Sequence, residues 1–279
     1  MTDRRRLYVL GGTGFARNLA ADLESAGYAV RLSVATTLGA DEVERHAAET
    51  GGHLSGGLQV GRLDSSALVD ELRSWQARAL VDATHPYAVE VGRTAADAAR
   101  AAGIPLLRVS RPDWSPANAA DTTTPADPGG SLVRLFASAD ELAAVLLARG
   151  ARPFFTVGVK GLVDFGGRGL DMAARVLPTA DSVSGALAAG VPPQRLVAAY
   201  PPYAAAFTVA CLRHLQCDVI VSKESGREGG LDEKLVAAET AGAELFVLAR
   251  PVDERSAVTD THHDVTSLLD ALEDLWNPS

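Results

Sequence analysis

The apolar run Leu7-Tyr8-Val9-Leu10, closed by Gly11-Gly12-Thr13-Gly14, constrains the fold of this chain most tightly. Helical spacing through Leu19, Ala20 and Leu23 follows at once, so strand, tight turn and helix succeed one another as in the opening of a βαβ unit. Gly27 stops that helix, and Tyr28 to Val34 supplies a second strand. Asp41 to Thr50 is helical, Leu58 to Val60 is a third strand, and Ala67 to Gln76 is the next helix. Ala79 to Ala83 is a buried-type strand, Val89 to Ala102 an alanine-rich helix ended by Gly103, and Leu106 to Val109 closes the unit. Strands alternating with helices at this spacing need crossover connections, hence a parallel sheet covered on both faces.

From Asp113 to Gly130 the composition shifts to Pro, Ala, Asp and Thr, as in a linker or mobile loop. Beyond it, strands are predicted at 132–136, 153–157, 175–177, 196–199, 219–221 and 245–248. Helices are predicted at 139–149, 209–215, 231–241 and 265–276. The halves echo each other: an offset of 139 places Ala98, Ala99, Ala102, Gly103, Leu106, Arg111 and Pro112 on identical residues from Ala237 to Pro251. The expectation is an α/β protein of two Rossmann-like domains with parallel sheets and an active-site cleft between them. Residues 1–115 form the first domain, 116–130 the linker and 131–279 the second. The same offset sets Thr84 against Lys223, each just beyond a strand's carboxyl end, where open parallel sheets bind ligands.

Charge limits the partners. Lys and Arg number 26 against 35 Asp and Glu, a net −9 that repels nucleic acid and anionic lipid at long range. Cys211 and Cys217 are too few for a disulfide framework or a four-thiolate zinc site, and no His, Cys or carboxylate set has metal spacing. No apolar run is long enough to span a membrane and no signal peptide is evident, so a cytoplasmic protein is expected, as a monomer or weak homo-oligomer.

The turn Gly11, Gly12, Thr13 and Gly14, with Ala16 and Arg17 in the helix it opens, has the context of a phosphate-binding loop. Glycines let the backbone approach a pyrophosphate, and the free N–H groups of the helix end receive its charge. An NAD site usually has an acidic residue after the second strand, yet Arg31 to Thr37 contains none, so NADPH fits better. Ser33, Thr36 and Thr37 can donate to a 2′-phosphate, and Arg17 or Arg31 can supply charge. No tyrosine has a lysine four residues on, which disfavours alcohol oxidation of the short-chain dehydrogenase type. His85 suits a general acid or a substrate clamp. Lys223, in Ser222-Lys223-Glu224-Ser225-Gly226, is one of three lysines in a chain otherwise using arginine; an ammonium releases a proton when desolvated, which guanidinium does not.

With these motifs the chain resembles the precorrin-6A reductase (CobK/CbiJ) family of the cobalamin pathway. The resemblance runs from Leu7 to Pro251 and rests on the glycine turn, Ser33 to Thr36, Asp82 to Ala88, Arg108 to Pro112 with Trp114, Ser222-Lys223 with Ser225-Gly226, Lys234-Leu235 and Arg250-Pro251. It implies reduction by NADPH of one carbon–carbon double bond in a ring-contracted tetrapyrrole, with hydride to C19 and a proton to C18. Lys223 is then the proton donor, and Thr84 joins the cofactor residues. His85, Tyr87, Arg111, Arg227, Ser222, Ser225, Gly226 and Lys234 are implied around the polycarboxylate substrate. Two other readings fit the residues: a reductase of another unsaturated substrate, and a non-catalytic nucleotide- or corrin-binding protein.

Overall fold

The structure, a computed structural model, describes residues 5–85, 87–110, 132–225, 229–250 and 260–276. They fall into two compact units, one made of the residues up to 110 with 260–276 and the other of 132–250.

The first unit opens with β1 (Arg6–Leu10), α1 (Gly14–Ser25), β2 (Ala29–Val34), α2 (Thr37–Thr50) and β3 (Leu58–Val60). It continues through α3 (Ser65–Trp75), β4 (Ala79–Asp82), α4 (Val89–Ala102) and β5 (Leu106–Val109). The second unit holds β6 (Val133–Phe136), α5 (Ala139–Arg149), β7 (Pro153–Phe155), α6 (Gly158–Leu162) and β8 (Ala173–Val176). Then come α7 (Ala180–Ala188), β9 (Leu196–Ala198), α8 (Ala205–His214), β10 (Val219–Lys223), α9 (Leu231–Ala241) and β11 (Glu244–Leu248). The chain ends in β12 (Asp260–His262) and α10 (Val265–Trp276).

Both sheets are six-stranded and every strand pair is parallel, in the orders β12-β5-β4-β1-β2-β3 and β6-β11-β10-β7-β8-β9. Each is buried on both faces. In β1, Leu7 and Val9 join the core with Leu19, Leu23, Leu268 and Leu272, while Tyr8 and Leu10 point the other way, onto Leu68, Leu72 and Ala95. In β10, Val219 and Val221 face one core and Ile220 the other. This period-2 alternation under helices explains why the strands read as continuous apolar runs.

The echo between the halves is structural. The offset of 139 lays α4 on α9 and β5 on β11, and both helices end on a left-handed glycine, Gly103 at φ 71° and Gly242 at φ 67°. Sheet order matches too, with β7 to β11 standing in the second sheet as β1 to β5 stand in the first.

The domain boundaries differ from expectation. Residues 260–276 do not belong with the second domain: β12 pairs with β5 through Thr261 and Arg108, and Leu268 and Leu272 enter the first core. Periodicity identifies an amphipathic helix but not the sheet it covers. Neither α6, with two glycines in five residues, nor the small-residue α7, nor β12 was predicted, because none has a regular apolar repeat. The expected linker 116–130 lies outside the described residues.

Candidate functional site

In each sheet the strand order reverses at its centre, between β1 and β4 in the first and between β7 and β10 in the second. The carboxyl ends of such strands are the usual ligand positions of open α/β sheets. The sequence motifs gather at both.

At the first, the glycine turn leaves β1 and enters α1. Thr13 caps the helix, its Oγ1 accepting the Ala16 N–H at 3.4 Å, and the Gly11 N–H donates to the Ser33 carbonyl at 3.0 Å. Two glycines serve different ends. A Cβ on Gly11 would lie 2.5 Å from Ala16 Cβ and 2.9 Å from the Ala83 carbonyl oxygen, so the turn packs onto β4 only without a side chain. A Cβ on exposed Gly12 would meet nothing nearer than Val34 at 3.9 Å, so internal packing does not require glycine there. Exposed Gly12 and Gly14, free of any such internal demand, suit close approach of a phosphate to the backbone.

Beyond β2, Ala35, Thr36 and Thr37 are exposed, and Thr36 Oγ1 caps α2 by accepting the Gly39 N–H at 3.1 Å. Ser33 is buried. Arg17 reaches Glu42 of α2 at 3.4 Å and so stays beside this segment. Arg31 does not join it: mid-strand, it pairs with Glu71 of α3 at 3.3 Å and its guanidinium lies over Trp75. Of the two arginines offered as a source of charge, Arg31 is engaged by Glu71 and Trp75, and Arg17 is the one beside this segment.

The loop after β4 is anchored by Asp82. Its Oδ1 accepts the Thr84 N–H at 3.0 Å and the Thr84 hydroxyl at 2.6 Å, while Oδ2 takes a 2.8 Å ion pair from Arg108 on β5. Both charged side chains are buried, with 3% and 4% exposure, so this pair holds Thr84 in place. Sequence spacing assigns Arg108 no role; its position opposite Asp82 follows from the β4–β5 register, which sequence alone does not reveal. His85 and Tyr87 are half-buried with rings 5.5 Å apart, and His85 Nδ1 accepts the Tyr87 N–H at 3.3 Å. The ring proton of neutral His85 is thereby left on Nε2.

At the second reversal, Ser222 and Lys223 point to opposite faces of β10. Lys223, half-buried, faces α6. Burial lowers its pKa from the ordinary 10.5, Lys160 lowers it further and Asp164 opposes both. Ser222 faces α9, where its hydroxyl accepts a 3.0 Å hydrogen bond from Lys234 Nζ. Lys234 also donates to the Gly229 carbonyl at 3.0 Å, so one buried ammonium ties β10 to the far side of the loop that follows it. That geometry gives Lys234 an anchoring position. Buried Ser225 packs against Gly229. Glu224, also buried, pairs with Arg250, whose Nη2 lies 3.1 Å from Oε1. Arg111, Gly226 and Arg227 lie outside the described residues.

Two buried cations stand on the same face. Arg175 of β8 donates to Thr208 Oγ1 at 2.9 Å and stacks 3.6 Å above the Tyr203 ring, and it acts on Lys234 to lower that pKa further. Among the described residues no cluster of His, Cys, Asp and Glu is placed to hold a metal ion, and no helix is long and apolar enough to cross a membrane.

The model of the precorrin-6x reductase CbiJ/CobK family matches residues 6–273. The chain belongs to that family. A precorrin-6A reductase of Rhodococcus erythropolis is 34% identical over 265 residues, covering 95% of this chain and 96% of its own. A cobalt-precorrin-6A reductase of Priestia megaterium is 30% identical over 270 residues, at 94% and 97% coverage. The solved structure of CobK precorrin-6A reductase has the same fold, with a TM-score of 0.69 at 24% identity over 97% of this chain and 96% of that one. The CbiJ/CobK family is one of reductases, and this member is accordingly an oxidoreductase with two Rossmann-like sheets.

Proposed function

We propose that the protein is an NADPH-dependent reductase of precorrin-6A, adding two hydrogens across the C18–C19 double bond to give precorrin-6B in cobalamin biosynthesis. The family match across residues 6–273 carries this reading, because it includes both strand-order reversals and every described motif around them. Relatives bear the names precorrin-6A reductase and cobalt-precorrin-6A reductase, so the substrate class is a polycarboxylate tetrapyrrole.

A bound nicotinamide supplies a hydride to C19. Gly11, Gly12, Thr13 and Gly14 bring backbone N–H groups and the α1 dipole to its pyrophosphate, with Ala16 small enough to let the turn sit close. Ser33, Thr36 and Arg17 address a 2′-phosphate, and Thr84, fixed by Asp82, lies at the neighbouring strand end. The absence of a carboxylate from Arg31 to Thr37 supports NADPH over NADH, since an acidic group there would repel the phosphate.

The Lys223 ammonium donates its proton to C18 while hydride reaches C19. One π bond would be replaced by two C–H bonds, the glycine turn would hold the nicotinamide cofactor that supplies the hydride, and neutral Lys223 would regain a proton from solvent. Burial favours release from the ammonium. His85 Nε2, with Tyr87 beside it, suits a substrate carboxylate, as do Ser225, Gly226, Arg111 and Arg227 from the family motifs, while Ser222 serves through its hydrogen bond to Lys234, which anchors the loop.

The test is purified protein with precorrin-6A, and with its cobalt form, under anaerobic conditions with NADPH and NADH in parallel. Nicotinamide oxidation and a gain of two hydrogens in product mass are expected with NADPH. Lys223→Ala is expected to lower kcat by about 100-fold or more while leaving NADPH affinity near wild type. Folded, NADPH-binding protein that reduces neither substrate would overturn the reading.

A further inference from the structure

We infer that Gly161 is the seat of the Lys223 ammonium, a positioning residue whose missing side chain leaves the notch that holds the proton donor against α6. The inference rests on the reading of Lys223 as the donor.

Glycine inside a helix lowers its stability relative to alanine, and Gly161 has no left-handed φ to require it, unlike Gly158 at φ 73° two residues after Thr156. What requires it is Lys223. A Cβ built on Gly161 would stand 2.8 Å from Lys223 Cε, 2.9 Å from Nζ and 3.0 Å from Val157 Cβ, the first two closer than real Cβ atoms come to any neighbour. The contact joins the two strands of the second reversal, since α6 follows β7 and Lys223 ends β10, paired to β7 through Val221 and Phe155. Among the described residues, Asp164 just after α6 and Lys160 on it act on the amine. Its chain neighbours are turned elsewhere: Ser222 faces Lys234 on the other side of the sheet, and Glu224 is held by Arg250.

A methyl group at Gly161 therefore displaces chiefly the flexible tip of Lys223, with a give of about a few tenths of an ångström from Val157. The larger displacement falls on the position of the ammonium.

The experiment compares wild type, Gly161→Ala and Lys223→Ala. In Gly161→Ala we expect kcat to fall about tenfold or more, NADPH affinity to stay within about twofold and Tm to stay near wild type, the helix gain of alanine offsetting the small shift of Val157. A donor must be protonated, so activity is lost as pH rises through its pKa; a more solvated amine moves that alkaline limb to higher pH. The chain has only three lysines, so the Cε resonance of Lys223 can be titrated directly by NMR of lysine-labelled protein. Its midpoint is expected to rise in Gly161→Ala while that of Lys234 stays in place. An unchanged Lys223 midpoint, wild-type kcat and pH profile, or a fall in kcat matched by a fall in Tm overturns the seat. If Gly161→Ala behaves as wild type while Lys223→Ala is inactive, the seat fails and the donor stands. Wild-type turnover in Lys223→Ala removes both.

Discussion

Lys234 illustrates how burial governs a cation with no described carboxylate in ion-pair reach. Its partners are a hydroxyl and a carbonyl, and burial, helped by Arg175 and opposed by Glu233, lowers its pKa to about 7. In the unfolded chain the amine returns to its ordinary 10.5. Below pH 7 both states hold the proton and the folded state bears the full cost of a buried charge. Between these two values the unfolded chain binds a proton that the folded chain has released, so stability rises with pH. Urea unfolding across that window is expected to show a gain on the order of a few kcal/mol in wild type that Lys234→Met lacks. Equal pH slopes in the two proteins would refute a buried ionisable Lys234. Arg175, also lowered by burial, solves the same problem differently, spreading its charge over the Tyr203 ring.

At the scale of elements, strand ends do most of the positioning. Asp82 closes β4 and Arg108 lies opposite on β5, so a buried ion pair anchors the Thr84 loop. Asp82→Ala leaves the Arg108 charge buried without this partner, and the expected cost is about 3–5 kcal/mol. Adding Arg108→Met should recover part of it, which a double-mutant cycle in denaturant would measure; additive losses would mean that the pair is not coupled. The second sheet repeats the device with Glu224 after β10 and Arg250 after β11. Most helices and strands were legible from apolar periodicity, whereas the Thr36 cap starts α2 at Thr37, ahead of the Asp41 expected from spacing alone. The short α6 was not legible, although Gly158 and Gly161 stand out within it, because a five-residue helix has no room for a period.

Across the whole molecule the two units exchange their edge strands. Among the described residues the strand after β5 is β6, which pairs with β11 in the other sheet, and the strand after β11 is β12, which returns to β5. A simple tandem repeat would keep each sixth strand at home. The return makes the stability of the first unit depend on the last helix, whose Leu268 and Leu272 are fully buried in its core. Leu272→Ala is expected to cost about 2–5 kcal/mol and to lower hydrogen-exchange protection at Leu107 and Val109. Protection at Ile220 and Phe246 in the second unit should hold, and a uniform loss across both units would contradict this division.

The sequence by itself determined the parallel α/β class, the family, the glycine turn at the first βα junction and the placement of Thr84 and Lys223 at equivalent strand ends. Each of these is local, written in apolar spacing, turn chemistry or a contiguous motif. Tertiary structure decided which sheet receives 260–276, that Arg31 packs on Trp75, that Lys234 anchors a loop and that Gly161 adjoins the Lys223 amine. These depend on strand register and on which face a side chain takes, set by contacts between residues far apart in sequence that no spacing rule encodes.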